Sequence, residues 1–96
     1  MLDRKLKKQI RETVKKHLPD ADYKIFVFGS RATGDNRRFS DVDLGILGPK
    51  IIPGHVLVKI QEELENSRIP YKIEVVDFQR VSSQFRDLAL KKVVYL

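Results

Sequence analysis

The stretch FGSRATGDNRRFSDVDL, Phe28 to Leu44, decides how this chain folds. It follows Ile25–Phe28, a continuous apolar run rich in β-branched and aromatic residues. Such a run predicts a strand buried on both faces. The run stops at Gly29-Ser30, where a turn is easy and Ser30 is a suitable helix N-cap. A short helical turn through Arg31 and Ala32 is expected before Gly34 breaks it. Asp35–Ser40 is a polar loop with Arg37 and Arg38. Asp41–Leu47 then alternates acidic and apolar residues, the pattern of a second strand. Val42, Leu44 and Ile46 belong to one face, Asp41 and Asp43 to the other.

Outward from that stretch the pattern turns helical on both sides. Leu2, Leu6, Ile10, Val14 and Leu18 recur four apart, which predicts a helix over residues 3–17, stopped by Pro19. Downstream, Gly48-Pro49 ends the second strand. Pro53–Asn66 reads as a helix with Leu57, Ile60 and Leu64 facing the core, helped by Val56. Tyr71–Phe78 reads as a third strand, with Ile73 and Val75 set against Glu74 and Val76. Ser82 or Ser83 caps a final helix carrying Phe85, Leu88 and Leu90, and the apolar tail Val93–Leu96 is expected to tuck against the sheet. The order is α-β-α-β-α-β-α, which suggests a small α/β or α+β domain with one mixed sheet of about three strands.

Composition narrows the function classes. The chain has 96 residues, no cysteine, 19 Lys and Arg against 13 Asp and Glu, and a net charge of +6. That length suits one domain, 1–96. Cysteine–zinc sites and disulfides are excluded, and the lack of cysteine fits a cytoplasmic compartment. No apolar run approaches the ~20 residues of a membrane span, and the charged start has no apolar signal core. Arg4, Lys5, Lys7, Lys8, Arg11, Lys15 and Lys16 give the first helix a basic face. That face is either a solvated exterior or a contact for nucleic acid or an acidic partner.

Three features within this frame carry chemistry. Gly29 lacks a side chain, so a phosphate can approach the backbone closely. Amides at the start of the next helix attract anions, and the Ser30 hydroxyl can add a hydrogen bond. The same Gly-Ser pair at a strand end also serves as an ordinary turn and cap. Asp41 and Asp43, two apart on a strand, project from one face and repel unless a cation lies between them. Hard oxygen ligands with few other donors suit Mg²⁺, which also binds substrate phosphates. Alone, the pair reads as two solvent-facing acids on a half-exposed strand, since alternating polar-out strands are common. Glu74 could complete a three-carboxylate cluster if its strand neighbours theirs; otherwise it is an ordinary exposed strand acid, paired with Lys72 or an arginine. Asp77 is an alternative third carboxylate, but it lies three residues on and projects from the opposite strand face to Glu74. His17 and His55 lack an orienting partner and are not assigned catalytic roles.

Taken together, the GSxAxG…SDxDL frame closely resembles the signature of the DNA polymerase beta-type nucleotidyltransferases, and specifically the minimal, MNT-type members. The resemblance covers essentially the whole chain and is specific between Gly29 and Leu44. It implies a nucleotidyltransferase-like fold. It implies that Gly29 and Ser30, with Arg31 beside them, hold a nucleoside triphosphate, ATP being the expected one. Asp41 and Asp43 match the family's metal-ligating acids, and Glu74 falls where the family places a third carboxylate, usually aspartate. The implied reaction uses two Mg²⁺ ions: a nucleoside monophosphate passes to an acceptor hydroxyl and pyrophosphate leaves. Arg37 and Arg38 are expected either to neutralise phosphate charge or to lie on a loop surface. Minimal members commonly act beside a helical, HEPN-type protein as a toxin–antitoxin pair, so such a partner, or a homo-oligomer, is expected to complete the acceptor site. The competing reading is a non-catalytic antitoxin or nucleic-acid-binding module on the same fold.

Overall fold

The computed structural model describes residues 3–19, 22–29 and 42–96. The helical turn expected at Arg31 and Ala32, the loop 35–40, and the site residues Ser30, Arg31 and Asp41 lie outside them.

Helix α1 runs Arg4–His17, with the Asp3 carboxylate accepting the Leu6 N–H at 2.8 Å as its N-cap. Its stripe of Leu6, Ile10, Val14 and Leu18 enters the core, as the four-residue spacing predicts. Strand β1, Lys24–Phe28, is buried at every position after Lys24, which explains its unbroken apolar run. Strand β2, Val42–Leu47, pairs antiparallel with β1, and helix α2, Gly54–Glu65, follows. Strand β3, Ile73–Asp77, then lies parallel to β2. It is shorter than the expected Tyr71–Phe78. Helix α3, Ser83–Leu90, is capped by Ser82, whose hydroxyl accepts the Phe85 N–H at 3.1 Å.

The tail does more than tuck against the sheet. Val94–Tyr95 forms β4 and pairs antiparallel with β1, so the sheet of described residues has four strands in the order β3-β2-β1-β4. The Leu96 N–H continues that ladder to the Ile25 carbonyl at 2.9 Å. The count of about three strands is thereby corrected. A two-residue strand has too little pattern to read locally, and only the open edge of β1 defines it.

Alternation in the strands sorts side chains into two apolar layers. Ile25, Val27, Val42, Leu44, Ile46 and Ile73 pack with α1 and α2. On the other face, Phe26, Phe28 and Phe78 form an aromatic cluster with ring centroids 4.8–6.3 Å apart. Two of these contacts are edge-to-face, the arrangement the ring quadrupoles favour. Gly45 stands opposite Phe26 in the ladder, and a Cβ there would strike the rings of Phe26 and Phe78.

Two polar devices complete the frame. Asp77 is buried and accepts backbone N–H groups of Ile52 at 2.8 Å and Gln79 at 2.9 Å, with Arg80 Nε at 3.4 Å. Arg80 also donates to the Ile52 carbonyl, so this pair ties the approach to α2 onto the end of β3. Gln61 of α2 acts at the sheet edge. Its amide donates to the Ile73 carbonyl at 2.6 Å and accepts the Val75 N–H at 2.9 Å. A single side chain thus occupies backbone groups that β3 would otherwise offer to another strand.

Candidate active site

The site begins at the register of three strands. Phe28, the last residue of β1, stands opposite Asp43 of β2, and Asp43 stands beside Glu74 of β3. Strands in a sheet lie roughly 4.8 Å apart, and laterally paired residues share a face. Asp43 and Glu74 are therefore neighbours on the aromatic-cluster face. A carboxylate cluster that includes Glu74 requires this adjacency. The Glu74 carboxylate is half-exposed and lies 3.8 Å from Lys72 Nζ, itself well exposed. An exposed contact of that length contributes little to stability, so Glu74 is not locked into it. Asp77 is on the opposite face and engaged with the backbone, which removes it as an alternative third carboxylate for this cluster.

Gly29 follows Phe28 with φ +74°, a left-handed conformation that side-chain-bearing residues rarely adopt. A Cβ on Gly29 would also collide with Asp43 Oδ2. Two independent reasons therefore require glycine here: the turn itself and the close approach of the Asp43 carboxylate. Ser30, Arg31 and Asp41, expected beside these residues, lie outside the described residues. Among those described, no three His, Cys, Asp or Glu side chains gather closely enough to hold a metal ion.

Gly29 and Asp43 also line a cavity of about 540 Å³ between the sheet and α3. Its remaining described walls are Phe28, Val76, Phe85, Leu88, Ala89 and Lys92. The site is thus polar at the strand ends and apolar toward α3. Nothing in the sequence pattern places α3 at the site. Its apolar positions were visible, but a helix of this length gives no sign of which sheet edge it crosses. The two histidines stay apart from the cavity lining. His17 Nε2 lies 3.1 Å from Glu63, which Lys16 also contacts at 3.0 Å. Hydrogen bonds from Lys16 and then His17 hold the Glu63 carboxyl below its ordinary pKa.

The family described as "Polymerase beta, Nucleotidyltransferase" matches residues 8–96, and the chain belongs to that family. One relative, described as the probable protein adenylyltransferase MntA of Haemophilus influenzae, is 28% identical over 75 residues. That alignment takes in 78% of this chain and 66% of the relative, so the chain spans just under two thirds of the relative's length. Among solved structures, a toxin–antitoxin complex with AMP-PNP superposes with a TM-score of 0.75 at 18% identity, over 93% of this chain and 70% of that one. A complex of a tri-AMPylated Shewanella oneidensis HEPN toxin with its MNT antitoxin gives 0.68 at 14% identity, over 93% and 66% of the two chains. These two likenesses establish a shared fold. The fold expected from the Phe28–Leu44 frame is the one observed, with β4 added at the edge.

Proposed function

We propose that this chain is a Mg²⁺-dependent adenylyltransferase that moves AMP from ATP to a hydroxyl of a HEPN-type partner protein, in a cytoplasmic toxin–antitoxin pair. The observation that supports this most is the placement of Asp43 beside Glu74, with Gly29 pressed against the Asp43 carboxylate. In the reaction, the acceptor oxygen bonds to the α-phosphorus. The bond from that phosphorus to the β-bridging oxygen breaks, and pyrophosphate leaves. The acceptor's proton passes to the Glu74 carboxylate.

The donor chemistry fits the metal. Asp43 and Glu74 offer hard carboxylate oxygens on adjacent strands, and glycine at position 29 leaves the Asp43 carboxylate room beside the backbone. Asp43 and Glu74, with Asp41, would hold Mg²⁺, which neutralises triphosphate charge and lowers the pKa of the attacking hydroxyl. Gly29, Ser30 and Arg31 bind the triphosphate. The backbone of Gly29 permits close approach, while Ser30 and Arg31 donate hydrogen bonds to its oxygens. No helix among the described residues is long and apolar enough to cross a membrane.

The test uses α-labelled ATP, Mg²⁺ and a lysate of the source organism, comparing wild type with the Asp41→Asn/Asp43→Asn variant. The expected result is label on one discrete macromolecule with wild type alone. Equal labelling by the variant, or no Mg²⁺-dependent nucleotide binding by wild type, would refute the proposal.

A further inference from the structure

We infer that the apolar half of the cavity, formed by Phe28, Val76, Phe85 and Leu88, is the seat of the nucleobase of the donor triphosphate. This deepens the transferase reading and rests on it. The cavity runs without interruption from Gly29 and Asp43, where the phosphates would lie, to the inner side of α3. Its volume of about 540 Å³ falls within the roughly 300–1,000 Å³ range of small-ligand pockets. A nucleotide has the same division as the cavity, anionic at one end and flat and apolar at the other.

Two side chains make the apolar end conspicuous. Phe85 is 44% exposed and Leu88 is 69% exposed, although both belong to the helix that closes the aromatic layer. Phe85 is held against the aromatic cluster: its centroid lies 6.1 Å from Phe28, with the rings at 87°, and 6.0 Å from Phe78. The ring is therefore oriented by the core while part of its surface remains open. An oriented aromatic surface of this kind binds bases by stacking, at little cost in side-chain ordering. Leu88 follows three residues later on the same helical face, and Lys92 one turn further brings a cation to the cavity wall. The positive charge complements a nucleotide, whereas an apolar protein segment would have no use for it.

The experiment compares ATP with inorganic tripolyphosphate, each with Mg²⁺, by calorimetric titration of the full chain. Wild type, Leu88→Ser and Phe85→Ala are measured. Leu88 is largely solvent-facing, so Leu88→Ser keeps the fold, which its circular dichroism and melting curve verify. ATP should bind wild type about tenfold more tightly than tripolyphosphate, the order of one base stack. Leu88→Ser should weaken ATP several-fold and Phe85→Ala about tenfold, with tripolyphosphate unchanged in both. Equal affinities of wild type for the two ligands, or losses that fall on both alike, would overturn the base seat while leaving the transferase reading intact. Loss of partner-protein binding in Leu88→Ser with ATP binding unchanged would also overturn it, assigning the surface to the partner. Failure of wild type to bind either ligand would overturn the transferase reading and this inference with it.

Discussion

Replacing Gly29 by alanine separates the two demands made on that position. The backbone there has φ +74°, and a left-handed conformation costs an L-residue about 1–2 kcal/mol. For a domain of this size, each kcal/mol moves Tm by about 4–8 °C, so Gly29→Ala should melt about 5–15 °C lower. The new methyl group also meets Asp43 Oδ2. That atom is the end of a side chain that can rotate, so the collision is relieved cheaply in stability. It is not cheap in function, because the relief consists of moving the carboxylate proposed to hold the metal. Misplacement of a reacting group by about 1 Å costs on the order of 100-fold in rate. Transfer of labelled AMP, assayed well below the lowered Tm, should therefore fall about 100-fold, beyond anything partial unfolding explains. A folded Gly29→Ala protein that transfers within about threefold of wild type would refute this reasoning, since it would leave the glycine to the turn alone.

Three further outcomes follow from the fold. Gln61→Ala strips both hydrogen bonds from the outer edge of β3 and should cost about 1–2 kcal/mol by denaturant titration. The bared edge should also raise concentration-dependent association, visible by sedimentation. Asp77→Ala leaves the buried Ile52 N–H and the Arg80 guanidinium without their carboxylate and should cost about 2–3 kcal/mol, with Mg²⁺–ATP affinity retained at temperatures where it is folded. Lost nucleotide binding with an unchanged Tm would instead make Asp77 a site residue. Glu63 should titrate below an ordinary glutamate in a carbon-detected NMR titration, and Lys16→Ala should bring it back up. Because its folded-state pKa is depressed, its contribution is present above the unfolded value and is lost as pH falls through the folded one. Glu63→Gln should accordingly abolish a small part of the acid-side loss of stability and leave neutral-pH activity alone.

What can be read from these residues without a structure is what nearest neighbours along the chain dictate. The stripe of Leu6, Ile10, Val14 and Leu18 defines α1 because helical pitch returns every fourth residue to one face. Ile25–Phe28 defines a strand buried on both faces because no polar residue interrupts it. Asp43 is assigned to the face opposite Leu44 by strand alternation alone. Asp77 is likewise separated from Glu74 by parity, before any contact is known.

Other features depend on pairings between distant segments, which no local pattern encodes. Asp43 and Glu74 are 31 positions apart, and whether they meet is settled by the parallel register of β2 and β3. The strand Val94–Tyr95 exists only because β1 has an open edge for it. Gln61 is an unremarkable helix residue until α2 is laid beside the edge of β3. Phe85 and Leu88 show an apolar helical face in the sequence, yet they border the cavity beside Asp43 because α3 crosses the sheet there. Local periodicity therefore determined the elements and the faces of their side chains. The tertiary fold decided which faces meet, because register and crossing are set by the packing of the whole core.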